Sequence, residues 1–143
     1  LSEAAGLIRE IENKFDRKVE VDYLKHSVRQ MLFARQLEKK LGQFHFIYSM
    51  GLFDYLATPV AKAVLQRLYK ILKPRGKMVI GNFHVSNPSK YYMEYWCDWV
   101  LYHRTEEEIL NMLDEDSSAD VSVIFEDTGS QMFLQIEKRQ NSH

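Results

Sequence analysis

One stretch, residues 43–82, restricts the fold more than any other part of the chain: QFHFIYSMGLFDYLATPVAKAVLQRLYKILKPRGKMVIGN. Residues 44–48 form a short, nearly continuous apolar run, the pattern of a strand covered on both faces. Thr58 is placed to cap a helix, and Pro59 suits its first turn. Val60, Val64, Leu68 and Leu72, with Ala61, Leu65 and Tyr69 one position on, give a wide apolar stripe at helical spacing that has to lie on a sheet. Pro74 ends this helix at Lys73, and Arg75-Gly76 turns the chain into a second strand, Met78-Val79-Ile80. Two apolar strands bridged by an amphipathic helix pair in parallel, because a parallel pair needs a crossover connection. Gly51 and Gly81-Asn82 then fall just past the carboxyl ends of neighbouring strands, the edge at which open parallel sheets bind ligands.

The remaining segments fit around this unit. Ala4, Leu7, Ile8, Ile11 and Phe15 recur at helical spacing, with Ser2 as a candidate cap, and predict a helix packed on the sheet. Val19, Val21 and Tyr23 alternate with Glu20 and Asp22, as in a strand with one covered face. Residues 26–41 return to helical periodicity through Val28, Met31, Leu32 and Leu37, and Gly42 closes that helix. Asn87-Pro88 and two serines mark residues 82–89 as a loop. Next, Tyr91, Tyr92, Tyr95, Trp96, Trp99 and Tyr102 crowd both of the chain's tryptophans into one segment. Positions 92, 95, 96, 99 and 102 share a helical face, so a helix is expected over residues 90–102. Thr105 and Glu108 form a capping box for a last helix carrying Ile109, Leu110 and Leu113. After a polar connection at residues 114–120, strands at 121–125 and 132–137 join through Asp127-Thr128-Gly129-Ser130 as a hairpin. Residues 139–143 read as a disordered tail, leaving one domain over residues 1–138.

At 143 residues, 45% of them hydrophobic, the chain can bury one sizeable core. A net charge of −1 without a Lys/Arg stripe argues against a nucleic-acid partner. Cys97 is the single cysteine, which excludes an intrachain disulfide and fits a reducing, cytoplasmic setting. His26, His45, His84, His103 and His143 lack ligand spacing, so no metal is expected. No apolar run approaches a membrane span, and the start carries no signal-peptide pattern. The chain begins at Leu1 and reads as a fragment or processed product.

The combination FIYSMGLFDYL, a helix ending ILKPRG, and a strand running into GNFHVSNPSKYYMEYWCDWVLYHRTEEE resembles the later half of a class I S-adenosylmethionine-dependent methyltransferase. Within that superfamily it is most similar to bacterial methyltransferases that make the methyl ester of 3-hydroxypalmitic acid, an extracellular signal. The broad likeness covers residues 19–138; the narrow one rests on residues 48–55 and 81–108. It implies a partial Rossmann-like α/β fold, with a mostly parallel sheet, a C-terminal antiparallel hairpin and the first two strands missing. In the full sheet the strands run 3-2-1-4-5-7-6, and the likeness maps residues 19–23 onto the third and 44–48 onto the fourth. The family's glycine-rich cofactor loop and the acidic residue ending its second strand are absent from this sequence. An unpaired edge is costly. Three outcomes are therefore expected: another polypeptide supplies the front half, the two edges close on each other, or two copies pair edges.

The resemblance implies S-adenosylmethionine as cofactor and a small-molecule acceptor with a fatty-acid-like carboxylate. Ser27 and Val28, past the family's third strand, would meet the adenine; Ser49, Met50 and Gly51, past its fourth, would sit by the methionine part. Ser27 reads equally as a helix cap, and Gly51 as a turn residue needing positive φ. A carboxylate acceptor needs no base, whereas a hydroxyl acceptor would, and Asp54 and His84 are the candidates. Tyr55, Asn82, Tyr92, Trp96 and Trp99 are candidates for acceptor binding, the aromatics as an apolar wall. The same aromatic face also fits core packing or a contact with a second copy. A non-catalytic self-association module derived from this fold is the competing function, and a nicotinamide-dependent oxidoreductase half is a weaker third.

Overall fold

The computed structural model describes residues 2–25, 27–33, 39, 41–114 and 117–140. Its organising piece is the expected crossover unit: β1 (Phe44–Ser49), α3 (Thr58–Lys70) and β2 (Leu72–Phe83). Before it come α1 (Ser2–Phe15) and α2 (Val28–Phe33). After it come α4 (Lys90–Trp96), α5 (Glu106–Leu110), β3 (Ala119–Phe125) and β4 (Gln131–Lys138). The four strands form one sheet in the order β1-β2-β4-β3. β1 and β2 are parallel, with Ile47 opposite Met78 and Ser49 opposite Ile80, while β4 runs antiparallel to both β2 and β3.

One face of the sheet makes the core. Met78 and Ile80 of β2 and Met132, Leu134 and Ile136 of β4 are buried against Ala61, Val64 and Leu65 of α3, with Phe53, Ile109 and Met112 closing the ends. Fully burying a side chain of this size contributes roughly 1.5–3 kcal/mol, so this layer dominates stability. The stripe is narrower than the sequence implied, since Val60 is exposed and Leu72 belongs to β2.

The boundaries of α3 also differ, for local reasons. Ala57, in extended geometry, is the N-cap, so Thr58 and Pro59 are the first helical residues and Thr58 makes no capping bond. The helix stops at Lys70 rather than Lys73. A proline ring clashes with the carbonyl four residues earlier, and for Pro74 that carbonyl belongs to Lys70. Residues 73–76 then bulge out of β2: the pairing passes from Phe44 opposite Leu72 to Phe46 opposite Lys77. Arg75 takes φ 61°, and Gly76 must be glycine because a Cβ there would lie 2.8 Å from the Lys73 carbonyl. Lys138 Nζ donates to the carbonyls of Tyr69 (3.2 Å) and Leu72 (2.9 Å), satisfying the chain where the helix gives way to the strand.

Several expected contacts are not made. β1 is an edge strand rather than one covered on both faces: Phe46 and Tyr48 are 56% and 68% exposed, their rings stacked at 6.0 Å. Val19, Val21 and Tyr23 are exposed and form no strand, because the strand expected beside them is not in the chain. α1 forms as predicted, but Leu7, Ile11 and Phe15 are exposed instead of packed on a sheet. Of the helix expected over 26–41, Val28–Phe33 is helical, and residues 26, 34–38 and 40 lie outside the described residues, as do 141–143 of the tail expected over 139–143, whose first residue, Arg139, is held by its N–H to the Ser118 carbonyl (2.9 Å) and by Nε to Asp120 Oδ1 (3.0 Å).

The C-terminal half follows the sequence more closely. The capping box is present, Glu108 N–H donating to Thr105 Oγ1 (3.1 Å) and Thr105 N–H to Glu108 Oε2 (2.8 Å). The aromatic helix ends early, at Trp96: Asp98 adopts φ 48° and the Trp99 N–H folds back onto the Met93 carbonyl at 2.9 Å. The hairpin between β3 and β4 turns at Gly129 (φ 70°) around the Glu126 carboxylate. That carboxylate accepts from Thr128 N–H (2.8 Å), Ser130 N–H (2.7 Å), Gln131 N–H (3.1 Å) and the Thr128 hydroxyl.

These donors favour the ionised form and hold the Glu126 carboxyl down to about 2, against an ordinary 4.5. The folded state therefore binds fewer protons than the unfolded one between these values, so the contribution is complete above pH 4.5 and is lost as pH falls toward about 2. Urea unfolding from pH 6 down to pH 2 checks this: Glu126→Gln lowers stability at pH 6 and shows a shallower acid loss than the parent. Parallel pH profiles for the two proteins would contradict it.

Candidate functional site

The carboxyl ends of β1 and β2 lie at the same end of the sheet, since Ser49 is level with Ile80 and Asn82 stands two residues beyond it. β2 runs further than the sequence implied. Gly81 and Asn82 lie inside the strand, because β4 keeps pairing there: Gly81 with Phe133, Asn82 with Met132, Phe83 with Gln131. Met50 lies over Gly81, where a Cβ would fall 3.0 Å from the Met50 sulfur. Gly51, where the chain leaves β1, takes φ 78° with open space beside its Cα. The turn thus explains Gly51, and it leaves the strand tip uncovered.

Beyond the tips, three pieces of chain are joined by a buried polar network. They are the turn through Phe53–Tyr55, the end of β2, and the segment leading from Trp99 to Arg104. Arg104 is 2% exposed; its Nη1 donates to the Phe53 carbonyl (2.9 Å) and to Asn82 Oδ1 (2.5 Å), and its Nη2 to the Leu56 carbonyl (2.5 Å). Asn82, fully buried, donates through Nδ2 to the carbonyls of Phe83 (2.9 Å) and Tyr102 (3.0 Å). Asp54, 1% exposed, accepts the Phe83 N–H at Oδ1 (2.7 Å), while its own carbonyl accepts the Tyr102 N–H (2.7 Å). Arg104 N–H in turn donates to the Phe83 carbonyl (3.0 Å). Burial raises the Asp54 carboxyl above its ordinary value, opposed by the Phe83 N–H and by the charge of Arg104. Burial likewise lowers Arg104, opposed by Asp54 and Glu108.

The sequence-selected residues divide accordingly. Asp54 and Asn82 are shut inside this network, and Arg104, its centre, carries no local sequence signal; a charged residue ahead of a capping box reads as surface. Tyr55 and Trp99 are brought together, Trp99 Nε1 donating to the Tyr55 hydroxyl at 2.7 Å. His84 lies just past β2 with Nδ1 2.6 Å from the Ser86 hydroxyl and its ring edge-on to Phe125. Tyr92 and Trp96 stand out to solvent, Trp96 at 81%. Ser27 caps α2: its hydroxyl accepts the Gln30 N–H (3.2 Å) while Gln30 Oε1 accepts the Ser27 N–H (2.8 Å). Val28 packs against the core from α2. Among the described residues no group of His, Cys, Asp and Glu is arranged to hold a metal ion. A cavity of about 980 Å³ lies at the far end of β2 from the tips, lined by Lys62, Tyr69, Asp114 and Lys138 among others. Two of the lysines lining it are engaged, Lys62 with Asp114 at 3.2 Å and Lys138 with two carbonyls.

No protein-family model matches the chain, and no curated protein matches it. Solved structures do. An O-methyltransferase family protein from Burkholderia thailandensis aligns at a TM-score of 0.64 and 12% identity, over 94% of this chain and 40% of that one. Magnesium protoporphyrin IX methyltransferase from Synechocystis PCC 6803, solved with bound S-adenosylhomocysteine, aligns at 0.60 and 8% identity, over 91% and 56%. A protein from Bordetella parapertussis described as exported aligns at 0.58 and 15%, over 68% and 40%. The chain thus spans between 40% and 56% of the length of these three structures. At such identities the likeness establishes the fold alone: a partial methyltransferase-like α/β unit with its strands in the order β1-β2-β4-β3.

Two substitutions check the network. Asn82→Ala orphans the Tyr102 carbonyl and an Arg104 donor and is expected to cost about 1–3 kcal/mol in urea unfolding. Because the Asp54 carboxyl is raised in the folded state, folding binds protons there, and stability falls as pH rises from the ordinary carboxylate value through the raised one. Asp54→Asn removes that fall; an unchanged pH slope would contradict the burial of the charge.

Proposed function

We propose that the chain is the later half of an S-adenosylmethionine-dependent methyltransferase that esterifies a fatty-acid-like carboxylate, working in the cytoplasm, where the exposed Cys97 stays reduced. The observation that carries this reading is the strand order β1-β2-β4-β3, with a free strand tip at Ser49, Met50 and Gly51 on the ligand-binding edge of the sheet. The Synechocystis neighbour, solved with S-adenosylhomocysteine, supports the choice of cofactor.

The residues present fit half of such a cofactor. The Gly51 turn leaves open space at the tip of β1, and Met50 over Gly81 makes an apolar floor beside it. On this reading Ser49, Met50 and Gly51 hold the methionine part, and Ser27 and Val28 border the adenine. The glycine-rich turn and ribose-binding acid come from residues outside this chain, packed along the free edge of β1. Bound there, the cofactor supplies an electrophilic methyl group on a sulfonium. The chain's own residues orient the acceptor and exclude water from it. Tyr55 and Trp99, with Tyr92 and Trp96 further out, form the apolar wall for an acyl chain, and Asn82 fixes the rim through its carbonyl partners. A carboxylate arrives as an anion, so no side chain has to take a proton. This suits an Asp54 that is buried and spent on the Phe83 N–H, and leaves His84 as the base for a hydroxyl acceptor.

A second reading, a non-catalytic self-association module, is favoured by the bare β1 edge with its exposed Phe46 and Tyr48. Calorimetry with S-adenosylhomocysteine, paired with sedimentation, separates the two. The methyltransferase reading expects binding by a chain extended through the coding sequence ahead of Leu1, and none by residues 1–143 alone. Tight dimerisation with no binding by either would overturn it.

A further inference from the structure

We propose that Arg104 is a positioning residue for the acceptor side of the site, setting where Tyr55 and Trp99 stand; the proposal rests on the methyltransferase reading for its role in turnover. Tyr55 sits between Phe53 and Leu56, and the carbonyls of these two residues are the ones that the Arg104 guanidinium holds. Its third bond, to Asn82 Oδ1, ties that turn to β2, and Asn82 in turn holds the Tyr102 carbonyl three residues from Trp99. The guanidinium also lies 5.8 Å from the Tyr102 ring centroid. One planar group thus fixes both chain segments whose side chains meet in the Trp99 to Tyr55 hydrogen bond. Arginine is required because three acceptors in three directions are reached by its fork, whereas a lysine ammonium on a flexible stem cannot span them together. Its Nε is buried without a partner, so the side chain is held by geometry at its far end rather than by full satisfaction.

The test uses Trp99 as its own reporter. In a Trp96→Phe background Trp99 is the sole indole, and acrylamide quenching of its fluorescence reads how firmly it is held. Tyr55→Phe removes the acceptor oxygen and sets the quenching of a broken pair, expected to be stronger than the parent's. Arg104→Lys is expected to reach that value, while Ile136→Ala, a core substitution that weakens the fold away from the rim, keeps the parent's value. Should Arg104→Lys fail to fold, Asn82→Ser, which loses one of the two Nη1 acceptors together with the bonds to the Phe83 and Tyr102 carbonyls, is expected to move the quenching in the same direction. Parental quenching in Arg104→Lys, or in its substitute, overturns the proposal. So does a Tyr55→Phe value equal to the parent's, or an Ile136→Ala value equal to that of Tyr55→Phe. None of these readings needs methyl transfer, so they separate this proposal from the functional one. In the extended enzyme, Arg104→Lys is expected to lose about 100-fold in kcat/KM for the acyl acceptor with KM for the cofactor unchanged. A loss falling equally on both substrates would also overturn it.

Discussion

A parallel strand pair cannot close through a tight turn, and everything in this fold follows from how β1 and β2 meet that constraint. The connection has to climb over the sheet and return, and α3 does so with Ala61, Val64 and Leu65 against Met78 and Ile80. The crossover brings the carboxyl ends of both strands to one edge. The antiparallel hairpin of β3 and β4 then docks on the far side of β2, completing the core with Met132, Leu134 and Ile136. The near side of β1 stays open, and with it the apolar faces of β1 and α1.

The rim beyond the strand tips is held by polar groups where apolar packing would be expected. Arg104, Asn82 and Asp54 are buried together, yet the structure shows no direct bond between the arginine and the carboxylate: the guanidinium is held by the Phe53 and Leu56 carbonyls on either side of Asp54 and by Asn82, and the carboxylate by the Phe83 N–H of β2. Breaking one partner of such an arrangement strands the rest in a medium that solvates them poorly, which makes the rim cooperative. Tyr55 and Trp99, joined by their own hydrogen bond, are carried by two of the chain segments that this frame ties together.

The sequence carried the crossover unit, the hairpin and the capping box because each is written in local periodicity and turn chemistry. The 2-fold alternation at residues 19–23 was equally clear but produced no strand, since pairing needs a neighbour that the chain does not contain. The proline at 74 was read as a stop at the preceding residue, although its clash reaches back to Lys70. The aromatic segment looked helical throughout on side-chain spacing alone; the backbone reversal at Asp98 is not encoded in that spacing. Of the candidate site, the position of Ser49 to Gly51 at the end of β1 was legible from the strand pattern, while the contact between Tyr55 and Trp99 was not, since it joins residues far apart in the chain. Arg104 was not, because a buried guanidinium whose partners are distant carbonyls leaves no trace in the residues around it.

Amide chemical-shift mapping of the extended protein with S-adenosylhomocysteine asks most directly whether the tips of β1 and β2 frame a cofactor. The largest shifts should fall at Ser49, Met50 and Gly51, with residues 117–118 and Lys138 at the opposite cavity unmoved. Shifts gathered at that opposite cavity, or none at the tips at saturating ligand, would contradict the placement.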